Sequence, residues 1–279
     1  MHGLSVAAAA ACLALLAGPA ASESAEARGK YLVEGLMGCG NCHTPLGPQG
    51  FEADLALGGR LVEKNEMFTA VAPNITPGGR VAEWSDAELA VAIREGRRPD
   101  GSIIGPPMPF AVYRGISDDD LAAVVAYLRS VPAVSHDPGV SDYKIPLPPA
   151  YGPPVEAVMA PEPGVSVDYG GYLVALAHCM ECHSPMTPQG PDLAEGLGRG
   201  GFVFHGPWGT SVAANITNHA DGLAGYSDAE LKMMITEGRR ADGGQMLPPM
   251  PYSFLAKASE ADLDAMVMYL RTVPGQPDP

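Results

Sequence analysis

The chain states the same thing twice. Tyr31-Leu-Val recurs as Tyr172-Leu-Val, and Pro48-Gln49-Gly50 recurs as Pro188-Gln189-Gly190. In unbroken order follow Asn74-Ile-Thr and Asn215-Ile-Thr, Ser85-Asp-Ala-Glu-Leu and Ser227-Asp-Ala-Glu-Leu, Pro106-Pro-Met-Pro109 and Pro248-Pro-Met-Pro251. Tyr127-Leu-Arg-Ser-Val-Pro132 returns as Tyr269-Leu-Arg-Thr-Val-Pro274. A repeat of this kind means one structural unit made twice, so the 279 residues are expected to fold as two similar domains.

Each unit reads as short helices. Ser85-x-x-Glu88 and Ser227-x-x-Glu230 are capping boxes, in which a Ser hydroxyl takes an orphan backbone N–H. Each opens an apolar-periodic helix that Gly96 or Gly238 should stop. Ser117 and Ser259 should start the last helix of each half, with acidic residues in the first turn where the helix dipole favours them. Leu263, Met266, Val267 and Leu270 fall on one face of it. No alternation of strand type persists beyond a few residues, so the expected class is all-α. Between the halves, prolines 146, 148, 149, 153, 154, 161 and 163 favour an extended connector, read either as a stiff spacer or as a strap on the surface. The expected organisation is a leader over 1–25, one domain over 26–134, a Pro-rich linker over 135–167 and a second domain over 168–279.

Each unit also carries Cys-x-x-Cys-His, as Cys39-Gly-Asn-Cys42-His43 and Cys179-Met-Glu-Cys182-His183. This is the attachment pattern of a c-type haem, in which two thiols bond the porphyrin and the adjacent imidazole reaches the iron. Two such motifs imply two covalent haems, on Cys39, Cys42, Cys179 and Cys182, with His43 and His183 as proximal ligands. Zinc would need two more ligands per site, and a thioredoxin-type motif would need a βαβ setting. Met108 and Met250 are the candidate sixth ligands: a thioether between prolines sits in a constrained loop, and His/Met ligation raises the potential. Against this stands the commoner role of Met as core filler. Arg97, Arg98, Arg239 and Arg240, with Asn74 and Asn215, are candidate propionate partners, because Arg presents a planar fork to a carboxylate. Arginine near a helix C-terminus is favoured on its own account as well. Each His should donate its other N–H to a carbonyl, for which Pro45, Pro48, Pro185 and Pro188 are unranked candidates.

The formal charge of −15 disfavours nucleic acid and anionic membranes as partners. Leu4 to Leu16 is apolar and Ala17-Gly-Pro-Ala-Ala-Ser22 is small, as in a secretory leader, although no Lys or Arg precedes them. Cys12 lies in that segment. A periplasmic location without a membrane span after leader removal is therefore expected, and it agrees with where this haem is attached.

Cys39, Cys42, His43 and Thr44, the Asn74-Ile-Thr-Pro segment, the Asp100-Gly101 turn and Pro107-Met108-Pro109, with their second-half counterparts, resemble tandem class I-like cytochrome c domains. The similarity is closest to the cytochrome subunits of periplasmic alcohol- and gluconate-type dehydrogenases. The resemblance implies electron transfer from a dehydrogenase to a downstream cytochrome or oxidase, without substrate chemistry. Such subunits often carry three haem domains and a membrane-associating C-terminal segment, where this chain has two motifs. The competing readings are a dihaem enzyme of peroxidase or thiosulfate-oxidising type with one switchable sixth ligand, and a haem-based sensor.

Overall fold

Ser24 caps the first helix, its hydroxyl accepting from Ala27 N at 3.1 Å. The computed structural model describes residues 23–206 and 208–279. Most of the expected leader, with Cys12, falls outside the described residues. Helix α1 (Ala25–Tyr31) runs into a π-helical turn over Leu32–Leu36. Gly38, at φ +54°, then turns the chain into α2 (Cys39–His43). Two hairpins follow, β1 (Leu46–Gly47) with β2 (Gly50–Phe51), and β3 (Arg60–Lys64) with β4 (Phe68–Ala72). Three helices complete the half: α3 (Asp86–Glu95), α4 (Phe110–Tyr113) and α5 (Asp118–Ser130). The connector contributes β5 (Asp142–Tyr143).

The second half repeats the order as α6 (Val167–Leu176), α7 (Cys179–Cys182), β6 (Met186–Thr187), β7 (Gly190–Pro191), β8 (Val203–Gly206) and β9 (Gly209–Val212). It closes with α8 (Asp228–Glu237), α9 (Tyr252–Leu255) and α10 (Glu260–Leu270). Both capping boxes form, and Gly96 and Gly238 end α3 and α8 in the left-handed conformation.

The all-α expectation is wrong. The described residues hold nine short strands in four small antiparallel sheets, and strand makes up 12% of the structure against 35% helix. These strands are two to five residues long, too short for a period-2 pattern to register. They form because turns close them locally. Asn65 Oδ1 accepts from Met67 N and Phe68 N, both at 2.9 Å, and folds β3 back on β4. β5 arrives from the connector and pairs Phe68 with Tyr143.

In each half the first and last helices cross at a glycine. A Cβ on Gly29 would lie 1.9 Å from Ala123 O, and one on Gly170 would lie 1.9 Å from Ala265 O. No larger residue permits so close an approach. Arg129 and Arg271 play one part twice: each donates to a carbonyl of the segment before α3 or α8, Val81 O or Leu223 O, at 2.7 Å, and pairs with Asp86 or Asp228.

The halves pack through a near-twofold interface. Tyr31 Oη donates to Asp262 and accepts from Ser259 N at 3.0 Å. In mirror fashion, Tyr172 Oη donates to Asp120 at 2.6 Å and accepts from Ser117 N at 3.2 Å. One hydrophobic cluster joins the two halves, with Leu32, Leu36 and Ile116 of the first and Leu173, Leu176 and Met266 of the second all 1% exposed or less.

Candidate haem sites

Both attachment motifs lie on one-turn helices beside the interface. Gly40 of α2 packs against Phe254 of α9, where an added Cβ would come within 3.0 Å of the ring. His178, immediately before α7, meets Tyr113 of α4 edge-on with centroids 6.3 Å apart. The four cysteines are unpaired. Burial above all pushes the Cys39, Cys179 and Cys182 thiols up to about 12, and Cys42 upward as well. Cys182 is raised further by Glu181, by Cys179 and, across the interface, by Cys42. These are neutral thiols at pH 7, unlike the low-pKa thiolates of a dithiol redox site.

The two histidines are held alike. His43 Nδ1 lies 2.8 Å from Pro73 O, and His183 Nδ1 lies 2.7 Å from Ala214 O. A carbonyl only accepts, so Nδ1 carries the proton and Nε2 keeps its lone pair. Burial pushes His43 down to about 4 and His183 downward, so both rings are neutral at pH 7. The segment after each ring is tied to it: Gly59 N donates to His43 O at 2.6 Å and Gly200 N to His183 O at 2.7 Å. Thr44 and Ser184, both buried, accept from Leu57 N and Gly198 N. Pro73 and Ala214 were not among the carbonyls expected from sequence. The signal was nonetheless there, since each immediately precedes the repeated Asn-Ile-Thr.

Met108 and Met250 lie half-buried against the same hydrophobic cluster as Cys39 and Cys179. The Pro106–Pro107 and Pro248–Pro249 bonds that precede them are both cis. Of the polar candidates, Asn74, Asn215, Arg98 and Arg239 are engaged by other groups of the chain. Asn74 Oδ1 accepts from Thr76 N and Oγ1, while its Nδ2 donates to Val134 O at 2.7 Å. Asn215 does the same with Thr217 and Gln276 O. The two asparagines therefore clasp the chain that follows the last helix. Arg98 donates to Ile103 O at 2.9 Å and Arg239 pairs with Glu237 at 3.1 Å, while Arg97 and Arg240 are exposed.

The structure offers other donors. Arg60 Nη2 donates to Asn41 O, inside the first motif, at 2.8 Å, while its Nε is buried without a partner. Trp208 Nε1 in the second half is likewise buried and unpaired. An orphaned buried donor costs about 1–3 kcal/mol unless an acceptor arrives, and a propionate carboxylate is such an acceptor. Among the described residues no three His, Cys, Asp or Glu side chains are grouped to hold a bare metal ion. Neutral thiols beside a His with a free Nε2 suit a metal that brings its own macrocycle. The residues present fit haem c.

The cytochrome c family model matches residues 26–132. Over 254 residues the chain is 30% identical to the diheme cytochrome c-type protein of Cereibacter sphaeroides, covering 85% of this chain and 82% of that one. It is 29% identical to the cytochrome c subunit of the quinone alcohol dehydrogenase of Gluconobacter oxydans, over 99% of this chain and 61% of that subunit. It is 28% identical to the gluconate 2-dehydrogenase cytochrome c subunit of Pantoea cypripedii, over 93% of this chain and 62% of that subunit. The chain spans less than two-thirds of the length of these dehydrogenase subunits. No helix among the described residues is long and apolar enough to cross a membrane.

Proposed function

This chain belongs to the cytochrome c family, and from that premise we propose that it is a periplasmic dihaem electron carrier serving a dehydrogenase. Residues 26–134 and 168–279 are the two haem domains, and electrons leave toward a downstream cytochrome or oxidase. Haem c, when bound, supplies a one-electron iron couple. Cys39 and Cys42, and Cys179 and Cys182, anchor it. His43 and His183 present Nε2 to the iron, each ring fixed by its carbonyl partner. Met108 and Met250 would supply the remaining ligand at each site, which would leave neither open to substrate.

One observation carries this reading: the same Nδ1-to-carbonyl geometry occurs twice, beside one interface between the halves. Two centres so placed suit a relay between partners better than two independent sites. The dehydrogenase donor rests on the similarity to cytochrome c subunits of alcohol and gluconate dehydrogenases.

The test is spectroscopic. The purified protein should carry two covalent haems per chain and show the weak far-red Met–iron band for both when oxidised. Met108→Ala and Met250→Ala should each remove half of that band and lower one midpoint potential. Rapid carbon monoxide binding by the reduced wild-type protein would instead favour an open catalytic site.

A further inference from the structure

The proline-rich connector does more than join the halves. It lies on the loop that carries Met108 and takes up two of its carbonyls, with one residue between them. Tyr151 Oη donates to Ile104 O at 2.8 Å, and Tyr143 Oη donates to Pro106 O at 2.6 Å. The contacts are also steric. The Tyr151 ring stacks on Phe110, two residues beyond Met108, with centroids 4.9 Å apart. The Tyr143 ring fills the space over Gly105, where an added Cβ would come within 2.4 Å of it. From the other side Ile104 N donates to Gly96 O at 2.8 Å, and Arg98 Nη1 donates to Ile103 O at 2.9 Å. The segment 103–106 is therefore gripped between the end of α3 and the connector. It ends two residues before Met108.

The second half holds the equivalent loop differently. Pro248 O, the counterpart of Pro106 O, accepts from Ser211 Oγ of β9 at 2.7 Å. The carbonyl is satisfied in both copies, once by a hairpin residue of the unit itself and once by a residue of the connector. Tyr143 reaches its carbonyl only because β5 is paired to β4, and Ser141, just before it, exchanges hydrogen bonds with Val71 N and O.

We propose that Tyr143 and Tyr151 are positioning residues for the Met108 axial ligand, so that the connector keeps the sixth site of the first haem closed. The proposal rests on Met108 being that ligand. The two tyrosine bonds restrain the loop that carries Met108, and a hydroxyl bonded to a carbonyl contributes modestly but measurably to the closed state. Substitution by Phe retains each ring and its packing and deletes only the hydroxyl, which separates positioning from bulk support.

The test uses the full-length holoprotein with imidazole as exogenous ligand, in Tyr143→Phe, Tyr151→Phe and the double variant, alongside Met108→Ala. In the double variant, one haem should bind imidazole on the order of tenfold more tightly, and half of the far-red band should vanish at a lower pH than in wild type. Each single variant should show part of that change, and Ser211→Ala should act on the other half of the band. Met108→Ala should remove the half that the tyrosine variants weaken. An unchanged imidazole affinity and band in the double variant, with Met108→Ala removing half the band, overturns the positioning role alone. A band left whole by Met108→Ala overturns the axial reading, and the positioning role with it. Should the double variant lose haem, the two single variants give the same decision.

Discussion

The two halves share a backbone and differ in what secures it. Arg28 of α1 makes a two-pronged pair with Asp120, at 2.7 and 2.9 Å, where Asp120 also accepts from Tyr172. In the second half the residue three before the interface tyrosine is Tyr169 in place of Arg28, and Asp262 accepts from Tyr31 without a guanidinium beside it. The first half is overlaid by the connector, whereas the Pro248 carbonyl is held from within its own unit. Contacts that close a single unit are duplicated: the histidine carbonyls, the asparagine clasps and the arginines at 129 and 271. The tyrosine bonds across the interface are duplicated as well. The copies diverge at the Arg28–Asp120 pair of the first half and at the connector that overlies it.

The largest test of this comparison removes one site. Replacing Cys39 and Cys42 by Ala should lower covalent haem from two per chain to one, and replacing Cys179 and Cys182 should do likewise. Haem stoichiometry and mass spectrometry check this. Loss of both haems from a single pair of substitutions would mean that the copies do not mature independently.

A smaller effect should separate the two interface carboxylates. Asp120→Asn leaves the part-buried Arg28 without its counter-ion and should cost about 3 kcal/mol in denaturant unfolding. Asp262→Asn removes one hydroxyl partner's charge and should cost about 1 kcal/mol. Equal costs would show that the Arg28 pair adds nothing to the asymmetry.

The least effect should come from pH. Burial, then the bond to Asp262, pushes Tyr31 from 10.0 up to about 12, and burial followed by the bond to Asp120 raises Tyr172 too. A folded-state value above the unfolded one means that the stabilisation is complete below about pH 10. It is lost progressively as the pH rises toward 12. Thermal melts should show this decline, and Tyr31→Phe with Tyr172→Phe should flatten it.

The capped helices were legible because their signals are local: a Ser, a Glu three residues on, and a terminal Gly. The strands were not, since Arg60 to Ala72 offers too few residues for a period and owes its pairing to the Asn65 turn. Arg60 and Trp208 carry no signal of that kind, because neither has a like residue at the matching place in the other half. Arg98 was legible as a notable residue, but its bond to Ile103 O depends on a loop whose path no spacing specifies.

The sequence by itself determined the duplicated unit, the two Cys-x-x-Cys-His motifs and the helix ends, because covalent chemistry and capping act within a few residues of chain. Only the tertiary structure decided that the motifs both lie beside the interface between the halves, that Pro73 and Ala214 hold the imidazoles, and that the connector lies on the Met108 loop. Those outcomes depend on burial and on hydrogen bonds between segments far apart in sequence. There the partner is chosen by which surfaces can exclude water together.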